Sequence, residues 1–293
     1  MTSERHPRRR VLGGMLAAGT GALGLGGALP SASAAGGRPA AGGAKPTVVL
    51  VHGVFADASG WYKTMAGLQD AGFPVIAAAN PPPDSVRGDP QRTLAGDSAY
   101  VSSIVDTIPG PVILVGHSYG GEVITNAGRG HTNVKALVYV AAFAPDEGES
   151  ALQLAEQFPG SQLPGALVTR PFPLPVDAPA GDPGLDGYID PAKFREVFAG
   201  DLPRSETRLM AAAQRPGSVG GLAGRSGAPA WKSLPSWYVI PTADKVIPPA
   251  VQRFMAQRAG SRVVEVKGAS HVVMMSRPAV VVRQILAAHL ATR

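Results

Sequence analysis

The feature that most constrains this chain is a set of six short apolar runs, each rich in β-branched residues. None of these runs alternates between polar and apolar positions, as a strand with one face in water does. Continuous apolar runs of this length are typical of strands that are covered on both faces in a parallel sheet. The predicted strands are 47–53, 74–80, 111–118, 134–143, 236–242 and 262–268.

Helical patterns lie between these runs. In 93–108 the apolar residues recur at spacings of three and four, and Thr93 is the predicted N-cap. Residues 248–259 and 277–290 show the same spacing, and the second of these follows Ser276 and carries Pro278 in its first turn. Strands that alternate with helices predict an α/β fold, in which a mostly parallel sheet carries helices on both faces.

A long stretch from about Pro145 to Lys232 interrupts this alternation, because it contains no strong strand pattern and only a weak helical pattern near 191–214. An insertion of this length within a sheet is typical of a functional lid, so we predict a cap over about 147–232. The alternative is a disordered linker between two domains. Five aromatic residues argue against full disorder: Phe158, Phe172, Tyr188, Phe194 and Phe198.

The N-terminus has the three parts of a secretory signal: a basic start, an apolar stretch and a small-residue site at Ala32–Ala34. The pair Arg8-Arg9 is typical of export by the twin-arginine machinery. We therefore predict a signal over 1–34 that is cleaved near Ala34, which makes the protein secreted. A flexible linker over 35–46 and a catalytic domain over 47–293 follow it. The alternative, a membrane anchor, is disfavoured by the glycine content of the apolar stretch and by Pro30.

Charge and cysteine content narrow the function classes. Four arginines and one glutamate give residues 1–34 a net charge of +3, which leaves +3 of the total +6 for the rest of the chain. The rest contains no long run of lysine or arginine, so neither a nucleic-acid partner nor a membrane surface is indicated. The chain has no cysteine, which excludes a disulfide scaffold, a thiolate metal site and a cysteine nucleophile.

The motif that carries chemistry is Gly-His-Ser-Tyr-Gly at 116–120, directly after an apolar run and directly before a helical pattern. A G-x-S-x-G motif in this context predicts a sharp strand-to-helix turn that exposes a nucleophilic serine, here Ser118. The glycines allow the close backbone approach that such a turn needs. The alternative is a glycine-rich turn with an idle serine.

A serine nucleophile needs a base and an orienting acid. His271 lies between the last predicted strand and the last helix, where chain order places the base. The other histidines lie in the export signal, in turns or in the last helix: His6, His52, His117, His131 and His289. For the acid, Asp244 at the end of strand 236–242 is favoured over Asp146, which also follows a strand.

The oxyanion hole needs two backbone donors. The N–H of Tyr119, directly after the nucleophile, is one candidate. The loop after the first strand supplies the other, for which Val54 is preferred to Phe55. Phe55 is also a candidate for the pocket wall.

Taken together, these segments resemble the α/β-hydrolase superfamily. The resemblance rests on LVHGVFADASGW, NPPPDSVRGDPQRTLAGDSAYV, VILVGHSYGGEVITNA, VKALVYVAAFAPDEGES, SWYVIPTADKVIPP and ASHVVMMSRP. The branch that it resembles includes plant hydroxynitrile lyases and methyl esterases and bacterial pyrethroid-type carboxylesterases. The resemblance implies Ser118, Asp244 and His271 as a catalytic triad beneath a cap.

Two departures narrow the chemistry that the resemblance implies. Hydroxynitrile lyases carry a lysine directly after the catalytic histidine, where this chain has Val272. Haloalkane dehalogenases and epoxide hydrolases use an aspartate where this chain has Ser118. The sequence therefore predicts an exported serine hydrolase of small-molecule carboxylic esters, with no cofactor and no metal. Lyase-like chemistry on the same triad and a non-catalytic binding protein are the alternatives.

Overall fold

A computed structural model describes residues 44–79, 93–172 and 184–293 of the chain. The six predicted strands form one sheet in the order β2-β1-β3-β4-β8-β9, and every pairing in it is parallel. Their bounds are β1 Thr47–Val51, β2 Val75–Ala78, β3 Val112–His117, β4 Val134–Val140, β8 Ser236–Pro241 and β9 Arg262–Val266. All residues of β3 and β8 are buried, as expected for strands covered on both faces. The predicted α/β fold with a parallel sheet is confirmed.

The main helices pack around this sheet. Their bounds are α1 Tyr62–Asp70, α2 Leu94–Asp106, α3 Tyr119–Ala127, α8 Pro249–Arg258, α9 Val273–Ser276 and α10 Pro278–Ala291. Thr93 caps α2 as predicted, since its hydroxyl accepts from the N–H of Gly96 at 3.2 Å. Ser276, in contrast, does not cap α10. It ends α9, and Arg277 occupies the N-cap position of α10 without a side-chain hydrogen bond.

Helix α1 was not predicted. It buries only Thr64 and Leu68, so its apolar pattern is too sparse to be recognised in the sequence. A side-chain contact with α9 fixes it instead, because the Thr64 hydroxyl donates to the carbonyl of Met274 at 3.2 Å. Tertiary contacts rather than local pattern account for this helix.

The segment between β4 and β8 differs from the prediction. Instead of lacking strands, its described part forms a three-stranded antiparallel sheet of β5 Leu167–Phe172, β6 Gly184–Ile189 and β7 Gly217–Ser218. Proline, arginine and glycine interrupt the apolar character of these strands, so pairing rather than sequence pattern specifies them. The described residues of the segment also form four α-helices: α4 Ala151–Gln157, α5 Pro191–Phe198, α6 Arg204–Ala213 and α7 Val219–Ala223.

The two ends of this segment are joined by hydrogen bonds. The indole N–H of Trp231 donates to the carbonyl of Pro145 at 3.0 Å. Nearby, the N–H of Gly148 donates to the carbonyl of Ser226 at 2.8 Å. The N–H of Ser226 in turn donates to the carbonyl of Glu149 at 2.7 Å. The insertion therefore leaves and re-enters the main domain at one place, between β4 and β8.

Several sequence predictions fall outside the described residues: the export signal over 1–34, most of the linker over 35–46, and the segments 80–92 and 173–183. Within the described ranges, no helix combines the length and apolarity that a bilayer crossing requires. Nor do those ranges bring together three side chains that could ligate a metal ion.

Candidate active site

The parallel topology brings the candidate residues to one edge of the sheet. Ser118 follows β3, Asp244 lies three residues after β8, and His271 lies five residues after β9. The loop that carries Val54 follows β1, the neighbour of β3. Because the carboxyl ends of parallel strands meet at one edge, residues distant in sequence converge there.

Ser118 adopts a backbone conformation that few residues other than glycine adopt, with φ 55° and ψ −125°. It forms the junction between β3 and α3. The N–H of Ser118 donates to the carbonyl of Ala141 at 3.2 Å, and its own carbonyl accepts from Gly121 N–H at 3.0 Å and Phe143 N–H at 3.1 Å. The surrounding backbone thus holds the strained turn in place.

Glycines make this turn possible. A Cβ on Gly120 would lie 2.5 Å from the carbonyl oxygen of Val51, and a Cβ on Gly116 would lie 2.4 Å from that of Gly120. A Cβ on Gly53 would lie 2.6 Å from the Cβ of Ser118. The loop after β1 therefore packs directly against the serine.

His271 and Asp244 form a buried pair. Nδ1 of His271 lies 2.8 Å from Oδ2 of Asp244, and neither side chain is exposed to solvent. The other carboxylate oxygen, Oδ1, accepts from the N–H groups of Val246 at 2.8 Å and Ile247 at 3.0 Å. Asp146, the other candidate acid, instead forms an ion pair with Lys232 at 2.5 Å.

The other imidazole nitrogen of His271, Nε2, is buried and has no hydrogen-bond partner among the described residues. Ser118 is only 2% exposed. Since Asp244 accepts at Nδ1, that nitrogen carries the proton, which leaves Nε2 as the acceptor in neutral His271. An imidazole in this tautomer can take a proton from a hydroxyl placed at Nε2.

His117 supports the backbone of His271. Its Nε2 lies 3.1 Å from the carbonyl of His271, so Nε2 is the donor, and the two rings lie 4.7 Å apart. Burial lowers the pKa of His117 well below its ordinary value, and the neighbouring His271 lowers it further. His117 is therefore neutral and serves as a positioning group.

The two oxyanion candidates flank the serine. Tyr119 is the first residue of α3 and directly follows Ser118, so its backbone N–H lies at the N-terminus of that helix. Val54 directly follows Gly53, the residue that packs against Ser118. The hydroxyl of Tyr119 donates to the buried Asp97 of α2 at 2.9 Å, a contact that no sequence pattern indicated.

Apolar side chains surround this site. The ring of Phe198, from α5 of the insertion, lies 5.0 Å from the ring of His271 and 6.4 Å, edge-on, from that of Phe55. Phe55 also has a positive φ of 64° and lines a cavity of about 60 Å³ together with Met210, Ala213, Val272 and Met274. The role of Phe198 was missed because only the packing of the insertion brings it to the histidine.

His131 forms a second serine–histidine–aspartate contact. Its Nε2 lies 2.7 Å from the hydroxyl of Ser102, and its Nδ1 lies 3.5 Å from the carboxylate of Asp106, which is 69% exposed. Ser102 lies inside α2, where the backbone N–H groups are used by the helix. This arrangement therefore lacks the strained turn and the backbone donors that surround Ser118.

Glu122 is a buried carboxyl in the first turn of α3. Oε1 accepts from the N–H of Ala151 at 3.2 Å, and Oε2 has no partner in the described structure. Burial raises its pKa well above the ordinary value. The hydrogen bond from Ala151 lowers the pKa, but this effect is smaller. The carboxyl is therefore protonated at pH values where it ionises in the unfolded chain.

In the wild type, we expect the free energy of unfolding to fall as pH rises above the unfolded pKa of Glu122. We expect Glu122→Gln to make this fall less steep. The stabilising effect of the neutral carboxyl is complete below its unfolded pKa and is lost as pH rises through the folded pKa, by at most about 1.4 kcal/mol per pH unit. Urea unfolding at several pH values measures this slope. Glu156→Gln, on the exposed face of α4, is the control. Parallel curves for wild type and Glu122→Gln would show that Glu122 does not titrate in this way.

Several known proteins are similar to this chain in sequence or in fold. The sequence profile described as "Alpha/beta hydrolase family" matches residues 48–284. The chain is 28% identical over 254 residues to Esterase PIR7B of Oryza sativa subsp. japonica, which covers 80% of this chain and 92% of that protein. It is 26% identical over 249 residues to an Alpha-hydroxynitrile lyase of Arabidopsis thaliana, which covers 78% and 92%.

The solved structure of polyneuridine aldehyde esterase superposes with a TM-score of 0.70 at 23% identity, covering 83% of this chain and 99% of that one. At this identity the likeness shows the fold alone. The sequence relatives include an esterase and a hydroxynitrile lyase, so the resemblance to this branch is confirmed, and the solved structures of a methylesterase and a pyrethroid hydrolase share the fold.

Proposed function

The chain belongs to the alpha/beta hydrolase family, and from this premise we propose that it is a serine hydrolase that cleaves carboxylic esters. Esterase-type relatives support ester hydrolysis in general. The observation that carries the proposal is the buried His271–Asp244 pair at 2.8 Å, on the same sheet edge as a serine in a strained turn. A histidine whose Nδ1 is held by a carboxylate and whose Nε2 has no hydrogen-bond partner is arranged as a general base.

In the proposed reaction His271 Nε2 takes the proton of Ser118, and the serine oxygen attacks the acyl carbon of the ester. Asp244 stabilises the imidazolium that forms. The proton then passes from Nε2 to the alcohol oxygen as the ester C–O bond breaks, which leaves an acyl-enzyme. Water, deprotonated by His271, attacks this acyl-enzyme in the same way and releases the carboxylic acid and the free serine.

The negative charge that develops on the ester oxygen needs preorganised donors. We assign this role to the backbone N–H groups of Tyr119 and Val54. The N-terminus of α3 adds the positive end of its dipole at the same place. The contacts of Gly53 with Ser118 and of Tyr119 with Asp97 support this assignment, because they fix both segments next to the serine.

The proposed substrate is an ester with a short to medium apolar acyl chain. Phe55 and Phe198 favour an apolar group, and the adjoining cavity of about 60 Å³ is small. Because Ser118 and His271 are almost fully buried, the insertion acts in this proposal as a cap that must move for substrate to enter. Cyanohydrin cleavage is disfavoured by the apolar Val272, which supplies no charge for a cyanide leaving group.

Hydrolysis of p-nitrophenyl esters from acetate to palmitate by the full chain tests this proposal. We expect the highest kcat/KM at short to medium acyl lengths, because long chains exceed the space beside Phe55. If no ester in the series is hydrolysed, the proposed reaction is wrong. Cleavage of a cyanohydrin by the same preparation would then favour the lyase alternative, and inertness to organophosphonates would favour a binding protein.

Export is a second part of the proposal. We propose that residues 1–34 direct the precursor to the twin-arginine machinery, because Arg8-Arg9 precedes an apolar stretch and a small-residue site. Changing both Arg8 and Arg9 to lysine is expected to retain the protein in the cells of a bacterial host that has this machinery. The single change Arg5→Lys is the control. Equal amounts of exported protein from both variants would contradict the assignment.

A further inference from the structure

Gln252 is a fully buried amide on the otherwise apolar inner side of α8, where Val251, Met255 and Ala256 supply the packing. Its Nε2 lies 2.8 Å from Oδ2 of Asp244 and 2.7 Å from the carbonyl of Ile247. Both of these partners are acceptors, which fixes the nitrogen as the atom that faces them. The same Oδ2 accepts from Nδ1 of His271. The amide and the imidazole therefore share one carboxylate oxygen.

The position of Gln252 costs stability that an apolar residue would not cost. Its Oε1 is buried and has no hydrogen-bond partner among the described residues. A buried acceptor without a donor is unfavourable, and such groups in native structures call for an explanation. The contacts explain this buried position by the hydrogen bond that Gln252 donates to the Asp244 carboxylate.

We propose that Gln252 is a positioning residue that holds the Asp244 carboxylate in one orientation and sets how readily His271 takes up a proton. The inference rests on the proposed serine-hydrolase function. Four donors surround the carboxylate: two backbone N–H groups at Oδ1, and Gln252 and His271 at Oδ2. With both oxygens bound, the carboxylate cannot rotate away from the imidazole. The amide N–H also hydrogen-bonds to Oδ2, which weakens the negative potential that this oxygen exerts on His271.

Other titratable groups also lie near His271 and Asp244. Burial lowers the pKa of His117 well below its ordinary value, so the His117 ring is neutral near pH 7. Burial, with smaller effects of Tyr139 and Asp244, raises the pKa of Tyr238 well above its ordinary value, so it is neutral as well. Asp201 of the insertion accepts from the hydroxyl of Ser270, next in sequence to His271. None of these groups replaces Gln252 at Oδ2.

Gln252→Glu tests the proposal, because it keeps the shape of the side chain and replaces the donor with a carboxyl. The new carboxyl and Asp244 share one proton while His271 is neutral, and that proton can pass to the imidazole, because the imidazolium then faces two carboxylates. We therefore expect the acidic limb of the pH profile of kcat/KM to move up by about one pH unit. Gln257→Glu adds the same charge at an exposed position of α8 and is the matched control, for which the limb stays in place. A Gln252→Glu enzyme that folds and shows the wild-type limb would overturn the proposal.

A second variant covers the case in which Gln252→Glu does not fold. Gln252→Met has a similar volume and no donor, and we expect kcat to fall about tenfold with KM nearly unchanged. Wild-type kcat in a folded Gln252→Met enzyme would contradict the positioning role.

Proton NMR of the His271 ring separates this inference from the proposed function, because it needs no substrate. The expected result is that the low-field Nδ1–H signal and the pH at which the ring titrates both change in the Gln252 variants and not in Gln257→Glu. Unchanged signals in the Gln252 variants would overturn the inference, whether or not esters are hydrolysed. Changed signals in an enzyme that hydrolyses no ester would instead support the positioning role and contradict the proposed function.

Discussion

Replacing Ser118 with alanine is expected to lower kcat/KM for p-nitrophenyl butyrate by about 10³-fold or more. The proposed reaction forms its covalent intermediate on the Ser118 oxygen, and no other described hydroxyl occupies the strained turn between β3 and α3. Residual hydrolysis above the rate in water is expected from the oxyanion donors and from binding. Steady-state rates of purified wild type and variant measure the loss.

The fold should survive this change. Alanine meets the same positive φ as serine, and the backbone hydrogen bonds of residue 118 do not involve its side chain. Ser102→Ala is the matched control, because Ser102 also contacts a histidine but lies inside a helix. Activity close to that of wild type in Ser118→Ala, or a comparable loss in Ser102→Ala, would contradict the assignment of the nucleophile.

Replacing Gly120 with alanine is expected to destabilise the protein by about 3 kcal/mol or more, at the upper end for overpacking. The added Cβ would lie 2.5 Å from the carbonyl oxygen of Val51 and 2.7 Å from that of His52. Both neighbours are backbone atoms at the end of a central strand, so no change of side-chain rotamer relieves the contact. We expect activity to fall with stability, because the displaced segments carry the serine and the loop beside it.

Gly110→Ala provides the comparison for this prediction. A Cβ at position 110 would meet no atom within 4 Å, so the substitution is expected to change the free energy of unfolding by less than about 1 kcal/mol. Urea unfolding of both variants measures the difference. If Gly120→Ala unfolds at the urea concentration of wild type, the close packing of the turn between β3 and α3 against β1 is not a requirement of this fold.

The inner part of the parallel sheet could be predicted because β1, β3 and β4 are apolar and rich in β-branched residues, so local sequence and buried position agree, whereas the edge strands β2 and β9 are partly exposed. The small sheet of the insertion could not. Its strands contain Pro171, Arg170 and Gly187, and their pairing with each other is what specifies them. Helix α1 was missed for a similar reason, because contacts with α9 rather than an apolar stripe hold it in place.

Some residues of the candidate site could likewise be predicted from the sequence, and others could not. Ser118 and His271 could be proposed from a motif and from chain order. The choice of Asp244 over Asp146 rested on strand position, and only the structure adds the 2.8 Å contact. Phe198 and Gln252 carried no signal, since their contacts with this site arise where an insertion helix and α8 pack against it.

The most direct test of the central claim is to label the protein with a fluorophosphonate and locate the adduct by intact mass and peptide mapping. The proposed mechanism predicts one adduct per chain, on Ser118, and its absence from both Ser118→Ala and His271→Ala. This result would establish an activated serine without any assumption about the substrate. No adduct on the folded wild type, or an adduct on Ser102 in place of Ser118, would contradict the account.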